Sequence, residues 1–325
     1  MVKSFINDLL DRARNLASSD KAKAKSERSK ALFAVGIVCI LWGTTWLASK
    51  IGVKHMSALQ LSGLRHFIGG AIYVVFFIIK KISFPTKKQF IRILWMSVVM
   101  FVISNGFSVL SIVYIPSGLG AVIGAMTPLW LVIFSLMTVR GTIFNTMTLV
   151  GIILGFGGII VVFYDYLEEM TGSDFPLGIF FGVIASMTWA IGTLLTAKHS
   201  KDMDPYVSLG WQMMISGIIL TCLSYATGQH RDVLTIAPEG WYSILYLVLV
   251  GSIIAFTAFV YALKRLPAAQ VSVHSYINPI VAILIGYSMQ GEKLTSFVIL
   301  GTLVTLLGVY LVNTGFKRNV TTEKN

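Results

Sequence analysis

Gln270, His274 and Asn278 recur every four residues inside an otherwise apolar stretch. In a helix that spacing puts all three on one face. Amide and imidazole groups set out in a row can pass a small polar molecule between them, whereas facing lipid they would be costly. The other reading is bonding to a neighbouring helix, worth about 1 kcal/mol per contact. Arg65 lies about seven residues into a second apolar run, about 10 Å deep if that run is a membrane helix. Intramembrane charges normally face a cavity or a partner, and no Asp or Glu lies inside any apolar run of this chain. Arg65 either faces a central cavity, where it attracts an anion such as a carboxylate, or is held by helix-end carbonyls and snorkels to the interface.

Pro128 and Pro279 follow Thr127 and Asn278 in the middle of two further apolar runs. A mid-helix proline frees the carbonyl four residues earlier, here those of Gly124 and Ser275. Matched helix breaks in two halves of a chain point to a binding site, or else to a packing kink kept after duplication. Asn105, mid-run, is expected to join the same cavity as Arg65, and Trp42, Trp46 and Trp189 either shape its apolar part or pack against neighbours. His66 and His274 are the other titratable groups of note within the runs; a proton-coupling role for His274 competes with a plain hydrogen-bonding role. No metalloprotease His-Glu-x-x-His, phosphate-binding loop, Cys/His metal spacing or Gly-x-Ser-x-Gly occurs. No catalytic residue, metal or cofactor is therefore expected.

These residues must be positioned by membrane helices. Hydrophobic residues make up 55% of the 325 and charged ones only 12%, about half the share a water-facing surface needs. The apolar material falls into ten blocks, at about 32–49, 58–79, 92–114, 116–139, 146–164, 176–197, 205–227, 241–263, 267–290 and 295–314. Blocks of about 20 residues span a hydrocarbon core. The loops between them are too short to hold a soluble catalytic or ATP-hydrolysing domain. The net charge of +12 does not point to nucleic acid, because the basic residues lie between the blocks. With the N-terminus inside, 21 of the 26 basic residues fall on inner segments, four on outer ones, and Arg65 lies within a span. Both termini are thus expected in the cytoplasm. Cys39 and Cys222 lie inside apolar blocks and form no disulfide framework.

Ahead of the first block, Val2, Phe5, Ile6, Leu9, Leu10, Ala13 and Leu16 recur at helical spacing, predicting an amphipathic helix on the cytoplasmic surface. Asp20–Lys30 is polar and basic and reads as a linker. The expected organisation is a basic N-terminal segment over 1–31, a five-helix repeat over 32–164, an acidic outer linker over 165–175, a second five-helix repeat over 176–314 and a cytoplasmic tail over 315–325.

The two halves resemble each other. An offset of 147 aligns Trp42 with Trp189, Gly63 with Gly210, Arg65 with Gln212 and Gly70 with Gly217. An offset of 151 aligns Pro116 with Pro267 and Pro128 with Pro279, and one of 150 aligns Gly151 with Gly301 and Gly158 with Gly308. Five spans per repeat is an odd number, so the second copy enters the membrane inverted. Inverted repeats characterise carriers with a site near the midplane. Arg65 and Gln212 would then face each other across the pseudo-symmetry.

Leu41-Trp42-Gly43, Arg65, the Pro116–Pro128 segment, Ser186–Trp189, Tyr261-Ala262-Leu263 with Pro267-Ala268-Ala269, Asn278-Pro279 and Gly291-Glu292-Lys293-Leu294 carry a further likeness. Over roughly residues 32–314 the chain resembles two EamA domains of the drug/metabolite transporter superfamily. The resemblance implies a ten-helix export carrier, often for amino acids or related metabolites. The first half departs from the Gly-Glu-basic-Leu signature at Gly141-Thr142-Ile143, which favours a structural role for Glu292. The absence of membrane carboxylates separates the chain from the superfamily's small multidrug pumps built around a membrane glutamate.

The expectation is an all-α, ten-span secondary transporter in the cell membrane, with a 5+5 inverted repeat. Its partners are a small-molecule substrate and the bilayer, and nucleic acid is excluded. The candidate substrate-binding residues are Arg65, Asn105, Trp42, Trp189, Gln212, Gln270, His274 and Asn278. Efflux of toxic apolar compounds and a non-transporting scaffold are the alternatives; Arg65 would repel cations, and a scaffold has no need of a polar midplane.

Overall fold

The computed structural model describes residues 2–138, 146–171, 174–199, 202–266, 271 and 274–322. Among these residues all regular structure is helical. The helices are α1 (Val2–Gly52), α2 (Ala58–Ile79), α3 (Lys87–Tyr114), α4 in two parts (Ser117–Gly124 and Thr127–Thr138) and α5 (Thr146–Tyr164). The second half repeats them as α6 (Asp174–His199), α7 (Pro205–Ala226), α8 (Pro238–Leu263), α9 (His274–Gln290) and α10 (Ser296–Thr322). Eight of these, α1 to α8, contain stretches long and apolar enough to cross a membrane. The apolar part of α10, Ser296–Val312, is shorter, and α9 is described over 17 residues. The protein is a multi-pass membrane protein with ten helical segments in two sets of five.

Local sequence sets the helix ends. Ser57 accepts the Gln60 N–H ahead of α2, and Thr86 and Gln89 form a reciprocal capping box ahead of α3. Asp204 accepts from Tyr206 N at the start of α7, where Pro205 occupies the first turn without wasting a donor. One expectation fails at the N-terminus: α1 runs unbroken from Val2 to Gly52, through the stretch read as a linker. Beyond Asp20 that stretch is built from Lys, Ala, Ser, Glu and Arg with no glycine or proline, so nothing in its propensity ends a helix.

Two symmetric crossings join the halves. A Cβ on Gly70 of α2 would overlap the backbone of Met214 of α7, and a Cβ on Gly217 of α7 would overlap that of Phe67 of α2. The offset of 147 turns each contact into the other. At the second crossing, a Cβ on Gly158 of α5 would lie 2.6 Å from Gly301 O of α10, and one on Gly308 would lie 2.6 Å from Gly151 O. The offset of 150 again exchanges the two. Such self-complementary contacts lie on a two-fold axis. In both pairs rising numbers on one helix meet falling numbers on the other, so the paired helices are antiparallel. The axis therefore lies across them, in the plane of the membrane, which is the inverted repeat.

The symmetry extends to helix irregularities. Val98–Asn105 in α3 and Leu247–Ile254 in α8 are wound as π-helix, 149 residues apart. Lipid-facing positions are apolar, as on α2, where Ile72, Val75, Phe76 and Ile79 are exposed. Between the halves, toward the cytoplasm, lies a buried cluster that includes Cys39, Trp42, Phe101, Phe256, Phe259 and Leu266.

The outer α3–α4 corner is held by opposite charges from elsewhere in the chain. Lys50 Nζ donates to Ile112 O and Ile115 O at 2.5 and 2.9 Å, at the C-terminal end of α3. The Glu292 carboxylate accepts Ser117 N–H, Ser117 O–H and Gly118 N–H at 2.7, 2.5 and 2.9 Å, at the start of α4. Each charge matches the helix dipole it meets. Gly291, at φ +64°, supplies the left-handed turn that leads into Glu292. The contact crosses from the second half to the first.

Candidate central cavity

Between the halves lies a cavity of about 140 Å³. On α1, Trp42, Thr45, Trp46 and Ser49 line it at intervals that share one helix face. Ser104, Asn105 and Ser108 face it from α3, and Gly124 and Thr127 from the break in α4. Gly182, Ser186 and Trp189 of α6, Phe256 of α8 and His274, Ser275 and Asn278 of α9 complete the wall with Arg65 of α2. On α1, α2 and α3 these residues lie from mid-helix to the outer end. The cavity thus occupies the middle and outer half of the molecule.

Arg65 is 6% exposed and borders this space. Its Nε–H donates to Ser252 Oγ of α8 at 3.0 Å. Among the described residues no carboxylate pairs with it, and no hydrogen bond is recorded for its terminal amino groups. Trp42 Nε1–H donates to Gly251 O at 3.2 Å, next to Ser252. The Asn105 amide donates to Met100 O at 3.0 Å, five residues back in the π-wound stretch, and leaves its oxygen free for the cavity.

Aromatic rings close the inner side. The Trp42 ring lies 5.6 Å from Trp189, 4.9 Å from Phe256, 5.0 Å from Phe259 and 5.1 Å from His274, centroid to centroid. The pairs with Trp189, Phe256 and His274 are edge-to-face and the one with Phe259 is tilted, and edge-to-face pairs attract beyond their buried area. With its nitrogen turned toward α1, the Asn278 amide donates to Cys39 O at 2.7 Å and His274 O at 3.1 Å. Nearer the cytoplasm, Glu27 meets Arg265 at 2.9 Å and Tyr261 Oη at 3.2 Å, and Arg92 meets Asp202 at 2.7 Å. Both ion pairs join the first half to the second. Both pairs are solvent-accessible and screened, so the aromatic floor is the main closure.

The sequence expectations divide on this geometry. Arg65, Asn105, Trp42, Trp189, His274 and Asn278 all line one cavity. Gln270 lies outside the described residues. Gln212 does not line the cavity: it is buried, with Nε2 donating to Ser208 Oγ at 2.6 Å, and its backbone oxygen accepts from Ser97 of α3. Arg65 and Gln212 therefore do not face each other. His66 also lies off the cavity, its ring edge-on to Phe101 at 5.1 Å. Pro128 does break its helix, and Thr127 Oγ1 takes the freed Gly124 carbonyl at 2.8 Å. Pro279 does not: α9 runs through it from His274 to Gln290. Gly124 stands four residues before Pro128 and weakens the helix there, whereas no glycine stands in the four residues before Pro279. Thr45, Ser49, Ser104 and Ser108 were not singled out by sequence. Their spacing of four, Thr45–Ser49 and Ser104–Ser108, could have marked them.

Among the described residues no cluster of His, Cys, Asp and Glu could hold a metal ion. The cavity offers one guanidinium, a set of hydroxyls and amides, and aromatic walls, which suit binding a small molecule with an anionic end.

The comparisons agree with this architecture. A model described as the EamA-like transporter family matches residues 29–164 and 176–314. The inner membrane transporter YedA of Escherichia coli K12 is 28% identical over 286 residues, covering 88% of this chain and 90% of YedA. The transporter YoaV of Bacillus subtilis 168 is 23% identical over 290 residues, covering 89% of this chain and 98% of YoaV. A crystal structure at 15% identity superposes with a TM-score of 0.65 over 89% of this chain and 98% of that one, a likeness of fold.

Proposed function

The chain belongs to the EamA-like transporter family, and from that premise we propose that it exports a small polar metabolite bearing an anionic group, with amino acids as the leading class, by alternating access. The observation that carries the reading is Arg65: a guanidinium bordering the cavity with no carboxylate partner among the described residues. A substrate carboxylate supplies the missing charge. A charge-assisted hydrogen bond contributes about 1.5–3 kcal/mol net. Trp42, Trp46 and Trp189 offer apolar faces to the rest of the molecule. Energy comes from substrate or proton gradients, since the sequence has no ATP-binding motif.

The test compares small molecules in the medium of cells expressing wild type, Arg65→Ala or empty vector, at equal membrane abundance. A metabolite that rises with wild type alone, and that carries an anionic group, is the expected result. Equal export by Arg65→Ala would remove Arg65 as the anchor. No difference in any sample would remove export itself.

A further inference from the structure

Among the described residues, Arg65 is held from the other half of the chain. Its recorded hydrogen bond runs to Ser252, in the π-wound stretch of α8. Ser252 is fully buried and does not border the cavity. It accepts the Nε–H and so occupies the side of the guanidinium on which a carboxylate would otherwise bind through Nε and one amino group. The end carrying the two amino groups is left for a bidentate partner. Gly251 makes the approach possible: a Cβ there would lie 2.8 Å from Arg65 Nη2 and 2.9 Å from Thr45 Cγ2. The Gly251 carbonyl also takes Trp42 Nε1–H. One dipeptide of the second half thus fixes two cavity side chains of the first.

The fold does not require this arrangement. The offset of 149 between the π-wound stretches places Ile103 where Ser252 stands and Val102 where Gly251 stands. The counterpart of Arg65, Gln212, bonds within its own helix. Two copies of one architecture share the π stretch and only one has the arginine–serine bond.

We propose that Ser252 is a positioning residue that orients Arg65 for an anion and makes the anion preference of the cavity depend on the second half. The proposal rests on Arg65 being the anion anchor.

The experiment uses the full-length carrier in detergent and two probes of nearly the same shape, benzoate and benzamide, read by ligand-induced shifts of the melting temperature. Wild type should prefer benzoate, and Arg65→Gln should bind both equally. Ser252→Ala and the same-sized Ser252→Cys should lower apparent benzoate affinity about tenfold and leave benzamide unchanged, while Ser252→Thr, which keeps the acceptor oxygen, should restore the preference. A general loss of packing would move both probes together. Ser252→Ala or Ser252→Cys with the wild-type benzoate preference intact would overturn the positioning role. No preference in wild type would overturn the anchor, and the positioning role with it, and that failure appears in the wild-type arm alone.

Discussion

At the scale of residues, the decisive feature is a buried cation with no carboxylate partner among the described residues. Arg65 is buried at the cavity wall with Ser252 as its recorded partner. Replacing it with alanine should lower export about 10- to 100-fold, the equivalent of one charge-assisted bond. Arg65→Lys should fall between wild type and alanine, because an ammonium keeps the charge and loses the planar fork. Both are read as export rate at equal membrane abundance. That Arg65, Asn105, His274 and Asn278 line one cavity was legible in the sequence, because a polar or charged side chain inside an apolar run stands out. Ser252 was not, because serine is ordinary in membrane helices and its meaning comes from a partner 187 positions away. Gln212 misled for a related reason: repeat alignment gives equivalent positions on two helices, and the two-fold axis does not bring equivalent positions together unless they lie next to it.

At the scale of elements, the glycines that revealed the repeat are the ones that pack it. Gly70 and Gly217 sit where α2 and α7 touch backbone to backbone. Overpacking a close contact costs about 1–3 kcal/mol. Gly70→Val and Gly217→Val should each lower the melting temperature of the purified protein, and by similar amounts, because the axis makes the two sites equivalent. A fall at only one site would argue against the symmetric crossing. Ten segments and their order could be read from apolar block lengths. The π-wound stretches of α3 and α8 could not, since a change of winding leaves the apolar pattern almost untouched. The prolines show the limit of local rules, with Pro128 at a break and Pro279 inside a continuous helix.

At the scale of the molecule, the cytoplasmic side is closed by the aromatic floor and by the pairs Glu27–Arg265 and Arg92–Asp202. Cys39 lies in the buried cluster at that floor, 2% exposed, and Cys222 is exposed elsewhere. In a Cys222→Ser background, Glu27→Gln combined with Arg92→Gln should speed maleimide labelling of Cys39 modestly, since solvent screening leaves each pair weak. An unchanged labelling rate would show that the rings alone keep this side shut.

The two glycine crossings have a geometric consequence. Each is a point where backbones meet with no layer of side chains to slide upon. Each also lies on the pseudo-two-fold axis, because the axis exchanges the contacts within it. Two fixed points define a line. If both contacts persist, the single rigid-body freedom left between the halves is rotation about that line, and the line runs parallel to the bilayer. Like a beam on two bearings, the molecule can tilt only so that the gap narrowing on one face widens on the other.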